Sequence, residues 1–133
     1  MKNIFFFLLV LIADQVTKYT AVESLNWHAN AGISFGLFPS FPLWIFFVLI
    51  LLMIFIKIFY KIKLDLTWSL LIAGMSGNFV DRLRFGYVID WIPIPFSFPL
   101  IGRLYINIAD IALIMGFICF ISNEFKKPSC EQQ

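Results

Sequence analysis

The chain has 133 residues, of which 61% are hydrophobic and 14% charged, and its formal net charge is +2. A soluble domain carries about 25% charged residues, so lipid is the expected solvent for much of this one-domain chain. The small net charge argues against a nucleic-acid partner. Two distant cysteines, Cys119 and Cys130, with a single histidine, His28, exclude a Cys/His metal cluster, and no metal or cofactor is expected.

A spanning helix needs about 20 mostly apolar residues. In chain order, the first predicted span covers residues 3–22. Its apolar start has the length of a secretory leader, but no small-x-small cleavage site precedes Asp14 and Lys18, so a retained helix is expected. The outer segment 23–40 follows. The second span, 41–60, is the most uniformly apolar and carries Lys57 near its end. The third, 66–85, carries Gly74, Gly77, Asn78, Asp81 and Arg82. Residues 88–99 alternate apolar residues with prolines, which suits short extended pieces over the bundle and not a helix. The fourth span, 104–122, carries Asn107 and Asp110. Lys2, the Lys57–Lys61–Lys63 cluster and Lys126–Lys127 then share one side, which the positive-inside rule makes cytoplasmic, with both termini inside.

Ionisable groups in the hydrocarbon core are costly and normally face the protein interior or a watered cavity. Asp14 and Lys18 are four apart on one helical face, the spacing of an ion pair that eases insertion. Asn78, Asp81 and Arg82 share a face behind two glycines, the pattern of a packing seam with an Asp81–Arg82 pair. Asp110 has no Lys or Arg within four residues, so it is either protonated or partnered from elsewhere in the fold. On the assumed topology Asn78, Asp81, Arg82, Asp90, Asn107 and Asp110 all lie toward the outer leaflet. That agreement in depth points to a site; scattered ion pairs would not require it.

These residues fall in five short motifs: Asp14-Gln15-Val16-Thr17-Lys18, Asn30-Ala31-Gly32-Ile33-Ser34-Phe35-Gly36, Gly74-Met75-Ser76-Gly77-Asn78-Phe79-Val80-Asp81-Arg82, Val88-Ile89-Asp90-Trp91 and Asn107-Ile108-Ala109-Asp110. In that order the chain resembles lipoprotein signal peptidase (signal peptidase II). The resemblance implies an all-α membrane protein with four transmembrane helices, a small extracytoplasmic β-cradle and outer loops. It implies an aspartic endopeptidase of the bacterial inner membrane, expected as a monomer. Such an enzyme removes the signal peptide from diacylglyceryl-modified prolipoproteins, cutting before the lipidated Cys at the outer leaflet, and meets cyclic peptide inhibitors of the globomycin type. The catalytic pair maps onto Asp90 and Asp110. Asp14, Lys18, Asn30, Gly32, Asn78, Asp81, Arg82 and Asn107 map onto positions that shape the site and hold substrate. The chain departs from the family at Ala73, Ser34, Trp91 and Ile106, and its segment 23–30 is short, which bears on the size of the β-cradle.

Two carboxylates close together hold one proton between them, which suits peptide hydrolysis without a nucleophilic side chain. A serine protease reading of Gly74-Met75-Ser76-Gly77 lacks a histidine on another span, since His28 lies in a loop. A small transporter or proton-relay subunit is the alternative. It explains Asp14, Asp81 and Asp110 but not Asp90 in an outer segment.

Overall fold

The computed structural model describes residues 2–31, 52, 65–98 and 102–125. The predicted span at 41–60, Leu52 apart, and Gly32 lie outside them. Helix α1 runs Lys2–Glu23, strand β1 His28–Asn30, helix α2 Leu66–Phe85, strand β2 Val88–Asp90, strand β3 Ile92–Phe98, strand β4 Gly102–Ile106 and helix α3 Ile108–Phe125. The described part is mostly helical, with two small two-stranded sheets.

Polarity in the bundle is inverted relative to a soluble protein. Phe5, Leu9, Ile12, Val16 and Tyr19 of α1 are all at least half exposed, whereas Asp14 and Lys18 are 0% and 2% exposed. Apolar side chains outside and charges inside are the arrangement lipid favours. Among the described residues one helix, Asn3–Glu23, is long and apolar enough to cross a membrane, and the apolar stretch Ile108–Asn123 is shorter.

Local chemistry sets the helix ends. Asp65 caps α2 by accepting from Trp68 N (3.1 Å), and Gly86, left-handed at φ 79°, closes it with an N–H donated to Arg82 O. Helix α2 is the central element, packed on both α1 and α3. Close approach explains two glycines. A Cβ at Gly74 would lie 2.5 Å from Ala109 O, and one at Gly77 would lie 2.6 Å from Asp14 Oδ2. Ser69 of α2 also donates its hydroxyl to Asn3 O (2.9 Å), tying the start of α1 to the bundle.

Strands β1 and β2 pair antiparallel with His28 opposite Asp90, and β3 pairs antiparallel with β4. The β3–β4 register shifts between Pro93 and Ser97, where Pro93 and Pro95 supply no N–H to the ladder. The span expected over 104–122 is corrected here. Leu104–Ile106 belong to β4, and the helix starts at Ile108. Asn107 stops the strand because it caps α3. Its Oδ1 accepts from Asp110 N (2.8 Å) and its N donates to Asp110 Oδ2 (3.3 Å), a reciprocal capping box.

Candidate active site

Three helices and strand β2 converge on a buried polar cluster with two layers. The inner layer is built around Lys18. Its ammonium meets Asp14 Oδ2 at 2.8 Å and Asp81 Oδ2 at 2.9 Å, and donates to Asn78 Oδ1 at 3.1 Å. Three N–H groups thus find three acceptors, which is what a fully buried ammonium requires. Lys18 reaches Asp81 from α1, a pairing that the Asp81–Arg82 spacing did not announce. Asp14 Oδ1 in turn accepts from Ala109 N (2.8 Å), placing a carboxylate on the positive end of α3.

Asp81 also builds the layer above it. Its Oδ2 accepts from Ile89 N at 3.1 Å, which anchors β2 one residue before Asp90. Gln15 joins α1 to α2, donating to Gly77 O at 3.2 Å, Asp81 Oδ1 at 3.1 Å and Asp14 Oδ2 at 3.2 Å. Gln15 was not singled out from the sequence. The available signal was a second polar residue beside Asp14 in an apolar segment.

The outer layer holds Asp90 and Asp110. Asn107 links them: its Nδ2 donates to Asp90 Oδ1 at 2.7 Å, while its backbone N and Oδ1 engage Asp110. Asn30 Nδ2 donates to Asp90 Oδ2 at 2.9 Å, and Asn78 Nδ2 to Asp110 Oδ1 at 2.7 Å. Asp90 is 1% exposed, whereas Asp110 is partly open. Burial pushes the Asp90 carboxyl up to about 7 against the opposing Asn30 hydrogen bond, and the nearby charge of Asp110 pushes the same way. Arg82 donates to Asn78 O at 3.3 Å and lies within electrostatic range of Asp110, Asp90 and Asp81.

Of the residues expected at the site, Asp14, Lys18, Asn30, Asn78, Asp81, Arg82, Asp90, Asn107 and Asp110 therefore lie in one connected cluster; Gly32 is outside the described residues. Among the described residues no group of three or more His, Cys, Asp or Glu is placed to hold a metal ion. A cleft of about 360 Å³ runs along the C-terminal end of α1 beside Trp91, and neither Asp90 nor Asp110 lines it. Trp91 Nε1 is buried and has no acceptor among the described residues.

A family model described as signal peptidase (SPase) II matches residues 6–126. The chain belongs to the signal peptidase II family. It is 31% identical to a lipoprotein signal peptidase of Thermodesulfovibrio yellowstonii over 90% of this chain and 91% of that protein. It is 38% identical to one of Wigglesworthia glossinidia brevipalpis over 85% and 77%. A bacterial membrane enzyme solved by the in meso method at 2.3 Å superposes with a TM-score of 0.79 at 28% identity, covering 99% of this chain and 92% of that one. A second, solved at 1.9 Å, gives 0.76 at 29% identity over 96% and 94%. The chain is thus similar to membrane enzymes along nearly its whole length. Family membership sets aside the transporter or proton-relay alternative.

Proposed function

We propose that the chain is a lipoprotein signal peptidase acting as an intramembrane aspartic endopeptidase, with Asp90 and Asp110 as its catalytic dyad. The observation that carries this reading is the meeting of the two aspartates from different elements, β2 and α3, at the single residue Asn107, whose Nδ2 donates to the Asp90 carboxylate and whose backbone N donates to the Asp110 carboxylate. The substrate is a diacylglyceryl-modified prolipoprotein, and the bond cut precedes the lipidated Cys. The reaction takes place at the outer leaflet of the bacterial inner membrane, with both termini in the cytoplasm. The acyl chains remain in lipid while the peptide bond reaches the dyad from the partly open Asp110 side.

The chemistry follows from one proton shared by two carboxylates. The ionised member takes a proton from water as the oxygen attacks the scissile carbonyl carbon. The protonated member gives its proton to the carbonyl oxygen, forming a neutral tetrahedral diol. Collapse breaks the C–N bond, and a proton passes from the dyad to the departing amine of the lipidated Cys. The two aspartates act as a coupled pair, and the apparent pKa values belong to the pair.

The test is a gel-shift cleavage assay on a diacylglyceryl-modified prolipoprotein. Asn is nearly isosteric with Asp but cannot ionise. Asp90→Asn and Asp110→Asn should each lower turnover by about 10²–10⁴-fold, the range of general acid–base catalysis. The double variant should be little slower than either single, because groups acting as one unit are non-additive. A folded Asp110→Asn protein with native turnover overturns the assignment.

A further inference from the structure

We infer that Lys18, which touches neither catalytic carboxylate, is a positioning residue that fixes the polarity of the Asn78 amide and so keeps the dyad's proton available for the reaction. This rests on the aspartic reading above. All four carboxylate oxygens of the dyad accept from protein N–H groups: Asp90 Oδ1 from Asn107 Nδ2, Asp90 Oδ2 from Asn30 Nδ2, Asp110 Oδ1 from Asn78 Nδ2 and Asp110 Oδ2 from Asn107 N. With an N–H aimed at each of these oxygens, the dyad's proton is left to the other carboxylate, water or substrate.

That arrangement depends on which way each amide points. An ammonium has donors only, so the Asn78 atom 3.1 Å from Lys18 Nζ must be the oxygen, which leaves its Nδ2 to face Asp110. Asn107 adds a second hold, because its Nδ2 donates to the same Asn78 Oδ1 at 3.0 Å while its own Oδ1 is claimed by the Asp110 N–H. Were Asn78 to turn over, its NH₂ would oppose the ammonium and its oxygen would accept the Asp110 proton, withdrawing it from catalysis. Asp14 and Asp81 keep the ammonium charged and in place at 2.8 and 2.9 Å.

Other charged or titratable groups face the dyad. Asp14 and Lys18 do so from α1, and Arg82 from α2. Exposed His28 on β1 pairs opposite Asp90 and stacks on Tyr105 of β4. The test must therefore hold net charge constant. The double substitution Lys18→Met with Asp14→Asn does so, removing one cation and one anion. Turnover of a diacylglyceryl-modified prolipoprotein is measured as a function of pH for this double variant, for Asn78→Leu and for the triple combination, each checked for folding by thermal melting.

Loss of a directed N–H at Asp110 favours the protonated dyad. The pH–rate profile of the double variant should move up by about one unit, a tenfold change in the protonation equilibrium. Asn78→Leu should move it in the same direction, and the triple variant should move it no further than Asn78→Leu alone, because Lys18 acts through Asn78. A double variant that turns over more slowly with an unmoved profile makes Lys18 merely structural and overturns the inference. So does a triple variant whose shift is the sum of the other two. Should the double variant not fold, Asn78→Leu decides alone, since a folded enzyme with the native profile overturns the inference. Asp90→Asn in the same assay separates the two readings: if it stays active the dyad assignment fails, and if it is inactive while the profiles do not move only the role of Lys18 fails.

Discussion

Asp90 owes its chemistry to its place at the end of β2. Water stabilises an ordinary aspartate as the anion; here burial removes that water and carries the carboxyl from 3.8 to about 7, with the amide donors of Asn30 and Asn107 opposing. The consequence for stability has a definite sign. The folded-state value lies above the unfolded one, so the contribution of Asp90 is fully present below about pH 4 and is lost as pH rises through about 7. Melting temperature should therefore decline between about pH 4 and pH 8, and Asp90→Asn should flatten that decline, as thermal melts across pH would register. Turnover has its own dependence. On the proposed dyad, ionisation of Asp90 as pH rises through about 7 removes the shared proton, so the alkaline limb of the pH–rate profile should fall near neutrality. At this scale the sequence was legible wherever a carboxylate stood in an apolar segment. Lys18 was harder to read: an aspartate four residues away already accounts for its charge, and nothing in linear spacing announces that Asp81 and Asn78 complete its shell.

Among the elements, α2 carries the tightest constraints. Its Gly77 faces the Asp14 carboxylate so closely that an added Cβ would sit 2.6 Å from Oδ2 and 3.1 Å from the Ala109 Cβ. Relief requires Asp14 to move, and Asp14 holds both Lys18 and the first turn of α3. Gly77→Ala should cost roughly 1–3 kcal/mol, the usual range for overpacking, and should lower cleavage as well. Melting temperature and turnover measured on one preparation would check both. Helix α1 was readable because a mostly apolar run of about 20 residues is what a helix needs to cross a bilayer. The start of α3 was not, since Leu104–Ile106 are as apolar as the helix that follows. What ends the strand is the Asn-x-x-Asp cap at Asn107 and Asp110, a signal present in the sequence but hidden by reading both residues only as site candidates. The extended character of 88–98 was readable from its alternation and prolines, whereas the pairing of β2 with β1 depends on contacts far apart in the chain.

At the scale of the whole molecule, the clustered lysines predict both termini in the cytoplasm. A topology reporter fused after Gln133 should read out as cytoplasmic, and a periplasmic signal would move the dyad to the wrong leaflet. The inside-out distribution of polarity also bears on how such a protein is made. Made before α2, α1 brings an aspartate and a lysine into the bilayer, and each costs about 2.5–3.5 kcal/mol at the centre of a spanning helix. Their own 2.8 Å contact offsets part of this at once. The remainder waits for Asp81 and Asn78, some 60 residues later in synthesis. Until then α1 is an under-neutralised guest in lipid, and its firm residence there is a property of the assembled pair of helices, completed when Lys18 closes on α2.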